Sequence, residues 1–220
     1  MRTSLFVLAL LVLTVLSCTK HGAIAVEYLG TDSGCIERIY IPESLQSISS
    51  TDLQLVDSLF FTNGLVNNHY RFTQYTHDSL QTYYPPYAKK DEKCVRADHY
   101  ANGLRFLSDI IGFNFINDTL TFIGGDTTSK ILLDSIPTLQ LAQVRKLFID
   151  DAQRFEQLGY HFKDTCLRAE FGYYRQSDNP NDRVYKAWFI KPHYNNYPYS
   201  IHLDSAGVFV GYNNGRVYIN

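Results

Sequence analysis

The stretch that decides the fold is Val95-Arg96-Ala97-Asp98-His99-Tyr100-Ala101-Asn102-Gly103-Leu104-Arg105-Phe106. Two runs rich in apolar residues flank an Asn-Gly pair. That pair accepts the left-handed backbone of a two-residue hairpin turn, so the segment predicts strand, tight turn and returning strand. A second hairpin follows it, with strands at 110–116 and 120–123 around Asn117-Asp118, before Gly124-Gly125-Asp126 closes the region.

Upstream, Leu53, Val56, Leu59 and Phe60 recur at helical spacing, and Asn63-Gly64 forms a helix stop. Ser49, Ser50 and Thr51 offer N-caps, and Thr51 with Gln54 has the capping-box pattern. Polar and aromatic residues alternate over 70–75 as in a strand. Tyr84-Pro85-Pro86-Tyr87 excludes helix and central strand and reads as a loop. Residues 36–41 form a strand that Pro42 stops.

The downstream half repeats the plan. Pro137 and Thr138 open a helix that carries Leu141, Val144, Leu147, Phe148, Ala152 and Phe155 on one face and ends at Gly159. Strands follow at 167–174 and 184–191, joined by the polar loop Ser177-Asp178-Asn179-Pro180-Asn181-Asp182. Tyr199, Ile201 and Leu203 then alternate with Ser200, His202 and Asp204, which predicts a strand with one face buried. Asp204-Ser205-Ala206-Gly207 is a turn, and 208–212 returns. The expected fold class is α+β, in two similar modules (36–125 and 131–220) meeting between Gly125 and Ile136. Each module carries one helix on an antiparallel sheet, because strand and helix do not alternate as a parallel sheet requires.

The N-terminus has a different purpose. Arg2 precedes an apolar run, Leu5 to Leu16, that is too short to span a bilayer and suits a secretory signal. Ser17-Cys18 at its end resembles the bacterial lipobox. The resemblance implies removal of residues 1–17, a lipid on Cys18, a tether over 18–35, and a place in the cell envelope.

Three cysteines remain beyond Cys18, and an odd number leaves at least one outside any internal pair. Cys35 and Cys94 lie in the same half and form the preferred disulfide; three free thiols are the alternative. Their separation, and the lack of His-x-x-x-His, argues against zinc. No metal or cofactor is expected. A formal charge of −2 without a basic stripe argues against a nucleic-acid partner.

Two stretches resemble known families. Residues 95–106 are similar to the strand–Asn-Gly–strand core of fungalysin/thermolysin propeptides. Ala187-Trp188-Phe189-Ile190 with residues 199–208 is similar to PepSY domains. The resemblance implies a cystatin-like fold and a role in restraining or assisting another exported protein. The chain departs from peptidases of that kind in lacking His-Glu-x-x-His.

Catalytic motifs are otherwise thin. Asp98-His99 and His77-Asp78 pair acid with base, but strand neighbours point to opposite faces, so both read as surface polar positions. No Gly-x-Ser-x-Gly setting exists for a nucleophile. Residues 178–182 offer oxygens without the spacing of a calcium loop. Trp188, with apolar residues on both sides of its strand, reads as core.

The most suggestive surface is aromatic: Tyr83, Tyr84 and Tyr87 around one proline pair, and Tyr194, Tyr197 and Tyr199 around Pro198. Tyrosine offers contact area at low entropic cost and keeps its hydroxyl wet; packing over the prolines is the structural alternative. The expected function is a non-catalytic, lipid-anchored binding protein, inhibitory or chaperone-like toward an exported protein. The alternative is a glycan- or cell-wall-binding lipoprotein that uses the tyrosine loops.

Overall fold

The computed structural model describes residues 27–31, 34–67, 69–81, 89–125, 127, 131–176 and 183–216. The expected signal segment, Cys18, Tyr83, Tyr84, Tyr87 and residues 177–182 lie outside the described residues.

Asn102 and Gly103 adopt φ of 49° and 77°, the double left-handed conformation that an Asn-Gly turn supplies at little steric cost. They join β4 (Lys89–Ala101) to β5 (Leu104–Ile116). The second turn, Asn117-Asp118, is also left-handed (50° and 63°) and leads into β6 (Thr119–Gly124). Residues 104–116 form one strand where the sequence suggested two. Nothing at 107–109 breaks an extended chain. One side of the strand stays on β4, at 104–105 and again from Ile110, while the other meets β7 (Leu167–Gln176) at Phe106 and β6 from Gly112.

β3 (Tyr70–Gln81) pairs with β4, and α1 (Ser50–Thr62) covers one face of this sheet. The cap of α1 falls on Ser49, whose hydroxyl accepts from the Asp52 amide at 3.1 Å; the Thr51/Gln54 box is not the one used. Val56, Leu59 and Phe60 are buried against Phe72, Val95 and Phe113. Phe60 is the hub, with four aromatic rings between 4.8 and 6.4 Å away. Burial of such a ring is worth about 1.5–3 kcal/mol.

The second half holds α2 (Leu141–Glu156), β7 (Leu167–Gln176), β8 (Arg183–Pro192), β9 (Tyr199–Leu203) and β10 (Phe209–Asn213). The helix starts at Leu141, not at Pro137. The Gln143 side chain caps the Gln140 amide at 2.9 Å, and Gln140 itself is extended (φ −80°, ψ 152°). Val144, Phe148 and Ala152 pack on Ile36, Phe171 and Trp188 in a second core. Trp188 is 1% exposed, as a core residue should be.

Among the described residues ten strands join in one mostly antiparallel sheet whose main path is β10-β9-β8-β7-β5-β4-β3, with β6 beside β5 and the N-terminal hairpin beside β7. The fold class is therefore α+β. The join between halves is narrow: β5 meets β7 at Phe106 and Tyr173. Gly172 makes the approach possible, since a Cβ there would lie 2.3 Å from the Arg105 carbonyl oxygen.

The N-terminal hairpin crosses the expected boundary. β2 (Gly34–Ile39), which pairs with β1 (Glu27–Thr31), runs parallel to β7 from Ile36 opposite Leu167 to Ile39 opposite Glu170. This pairing also corrects the disulfide. Cys35 is bonded to Cys166, with Cα atoms 4.4 Å apart, because each cysteine immediately precedes a paired residue. Cys94 is a free thiol in β4, opposite Thr76 and Asn114 in the other half, out of reach of Cys35.

Candidate functional site

Where the halves meet, charged side chains line up across four strands. Arg105 of β5 grips Glu170 of β7 with two bonds, Nε to Oε1 at 2.8 Å and Nη2 to Oε2 at 2.6 Å. Its Nη1 lies 3.5 Å from Asp98 of β4, and Asp98 takes Arg71 of β3 at 2.5 Å. Burial opposes the Arg105 charge, yet the Glu170 bond and the Asp98 field more than offset it and raise the pKa. Such a fork is geometrically specific, and removing either partner would leave a buried charge.

Asp98 and His99 are 6% and 0% exposed, which corrects the surface reading. The two residues are covered on opposite faces, Asp98 by Arg71 and Arg105 and His99 by Tyr70 and Phe106, where the register of β4 on β5 shifts. His99 stacks on Phe106 at 4.7 Å with the rings 8° from parallel. Among the described residues neither ring nitrogen has a hydrogen-bond partner, and burial, helped by Arg175, pushes the pKa down to about 4. The ring is a neutral plate between two cores. His77, the other expected pair member, is exposed and meets Asp91 instead of Asp78.

A second polar constellation lies under α2. In β9 the alternation is present, but its buried side is the polar one: Ser200, His202 and Asp204 are 0%, 2% and 0% exposed. Asp204 accepts from the amides of Thr138 (2.7 Å) and Leu139 (3.0 Å) and from Trp188 Nε1 (2.9 Å). Burial alone would raise its pKa; these three donors reverse that and hold it below the usual carboxylate range. His202 Nε2 meets Asp151 of α2 at 2.7 Å and Nδ1 meets the Gly207 carbonyl at 3.0 Å. Both nitrogens are occupied, so Ser200, Asp151 and His202 do not form a nucleophile–base relay. These bonds fasten the Asp204–Gly207 turn and the entry of α2 to the sheet.

Of the expected tyrosine surface, Tyr194 and Tyr197 are described, 90% and 49% exposed. Tyr197 continues through Tyr199 (5.8 Å) to Phe189 (4.9 Å) in a row of rings, while Tyr194 sits edge-on to His193. Asn196, within this loop, accepts from Lys191 at 2.8 Å.

No protein-family model and no curated protein matches this chain.

The remaining surface feature is the outer edge of β3. Among the described residues β3 pairs with β4 alone. Its first residues are covered: the Ser47 amide donates to the Phe72 carbonyl at 3.0 Å, and the Phe72 amide donates to Gln46 Oε1 at 2.6 Å. The strand then continues to Gln81, with His77, Asp78 and Ser79 exposed. An uncovered edge offers main-chain donors and acceptors to a visiting strand, and sequence reading could locate the strand but not its place at the end of the sheet. Among the described residues no helix is long and apolar enough to cross a membrane. Nor are three or more His, Cys, Asp or Glu among them grouped to hold a metal ion.

Proposed function

We propose that this chain is an exported, lipid-anchored binding protein whose two propeptide-like halves engage an extended segment of another exported protein. The observation that carries the reading is the long β3 edge, covered at Phe72 by residues 46–47 and, among the described residues, paired elsewhere only with β4. Main-chain pairing at such an edge supplies affinity, and neighbouring side chains supply selectivity. Two cores, each under one helix, support the two-module part of the reading, with β2 donated across the boundary. Export and anchoring rest on the apolar run 5–16 and on Cys18.

The row Tyr197–Tyr199–Phe189 beside Asn196 favours a second reading, recognition of envelope glycan by stacking. One experiment separates the two: crosslinking pull-down from the native envelope with wild type and with Tyr83, Tyr84, Tyr87, Tyr194 and Tyr197 all changed to Ala. Edge pairing predicts that the same exported protein is recovered with both. Loss of all protein capture, together with tyrosine-dependent retention on envelope polysaccharide, would reverse the ranking.

A further inference from the structure

On the helix side of β3, a cavity of about 250 Å³ opens between α1 and the β3–β4 pair. Leu55 and Leu59 make an aliphatic wall. Tyr75, Lys93 and Asp118 make the opposite, polar wall, and Ser58 and Thr62 add hydroxyls from the helix. The cavity is framed by bonds that leave these side chains available. Asn63, at the end of α1, donates to the carbonyls of Leu59 (2.8 Å) and Asp118 (2.9 Å) and accepts from the Leu120 amide (2.8 Å). Asn117 exchanges two bonds with the Asp91 backbone, its amide donating to the carbonyl at 2.8 Å and its Oδ1 accepting from the amide at 3.1 Å. The 117–118 turn is therefore pinned to both helix and sheet.

The donors and acceptors facing the cavity are mixed. Lys93 Nζ bridges Asp91 (2.6 Å) and Asp118, and the two carboxylates push its pKa up to about 12. Two of its three N–H groups are thereby engaged and one remains. Asp118 uses Oδ1 on Lys93 and presents its second oxygen. The Tyr75 hydroxyl is buried, and among the described residues it has no hydrogen-bond partner, although a buried polar atom nearly always has one.

An anion entering here would meet the carboxylate of Asp118 in the lining, with Asp91 held on Lys93 behind it. A cation would face Lys93. A hydroxyl both donates and accepts, so adjacent hydroxyls can take the free Lys93 N–H and give to Asp118 without either penalty. The C–H face of a ring would lie on Leu55 and Leu59.

We propose that this cavity is a binding site for one neutral sugar residue, with neighbouring hydroxyls between Lys93 and Asp118 and a further oxygen on Tyr75. It stands apart from the β3 edge and from the tyrosine loop, and neither reading of the function requires it.

The test is ¹⁵N-amide NMR of the mature chain with a panel of methyl glycosides: hexoses, pentoses, 6-deoxyhexoses and N-acetylhexosamines. Inorganic phosphate and butylamine serve as anionic and cationic probes. At tens of millimolar, where a millimolar site fills, at least one glycoside should shift amides of residues 58–63, 92–94 and 117–119 saturably. Tyr75→Phe deletes only the unpartnered hydroxyl and should weaken that binding about 3- to 10-fold, the effect of one hydrogen bond. Lys93→Met should abolish it; if that variant does not fold, Tyr75→Phe decides alone. No shift with any glycoside, preferential binding of phosphate or butylamine, or unchanged affinity in Tyr75→Phe would each overturn the proposal.

Discussion

The contacts under the two helices are built by opposite means. Under α1 the contact is apolar, with Phe60 set among the rings of Tyr70, Phe72, Phe113 and Phe115. Under α2 an apolar core is bordered by buried polar locks: Asp204 on Trp188 and two amides, His202 on Asp151, and Arg145 on the carbonyls of Phe162 (3.0 Å) and Thr165 (3.3 Å). The first half has long hairpins, 13 residues in each of β4 and β5, whose ladders hold themselves in place. The second closes on strands of five residues. Short strands contribute few ladder bonds, and there the polar locks define the geometry of the turn and the helix entry.

The contrast can be broken most directly at its two hubs. Asp204→Ala strands the buried Trp188 Nε1 donor and two part-buried amides and should cost about 3–5 kcal/mol in chemical denaturation. Phe60→Ala should cost a similar amount, about 3–5 kcal/mol, by opening a cavity. The two losses differ in place: native-state hydrogen exchange should show Asp204→Ala releasing amides of 138–152 and 199–212 first, and Phe60→Ala those of 53–62. A cost below about 1 kcal/mol for Asp204→Ala would mean that the polar lock is ornamental.

A smaller effect lies at the seam and depends on pH. His99 is held neutral, its pKa depressed from 6.5 to about 4 by burial. The unfolded chain takes up a proton near pH 6.5 while the folded chain does not. Stability from this group is thus present above pH 6.5 and lost as pH falls toward 4, by about 3 kcal/mol at most. His99→Phe keeps a ring on Phe106 and should remove that part of the acid slope, measured as wild type minus variant between pH 6.5 and 4. An identical slope would show that the seam admits the proton without opening.

The smallest effect belongs to the surface of α2. Lys146 and Asp150 are 74% and 57% exposed and pair at i,i+4. Lys146→Ala should change stability by about 0.5 kcal/mol or less, and less still in high salt. Any larger loss would assign the second half an electrostatic contribution outside its core.

What could be read beforehand follows from how local each cause is. Asn102-Gly103 carries its own reason for turning, and Trp188 shows its burial through the apolar residues beside it. The hairpins and both helices were legible on such grounds. The buried side of β9 was not: alternation names two faces but does not choose between them. His202 and Asp204 go inward onto partners from other parts of the chain, Asp151, Thr138 and Trp188, and Ser200 is carried in with them. The disulfide eluded local reading for the same reason, since Cys35 and Cys166 become neighbours only once β2 lies beside β7. The Tyr75–Lys93 cavity joins a helix, two strands and a turn, and no single motif among them announces it.

That last pairing sets a timetable. A ribosome delivers the amino end first, and the hairpins from β3 to β6 can close as soon as they emerge, each strand beside its successor. Residues 34–39 can pair at once with β1, but their other side stays open. Their seat is completed only when β7 arrives, and the thiol that Cys35 awaits lies 131 positions further along. The chain therefore begins life with a waiting strand, and the last stitch of its folding reaches back almost to its start.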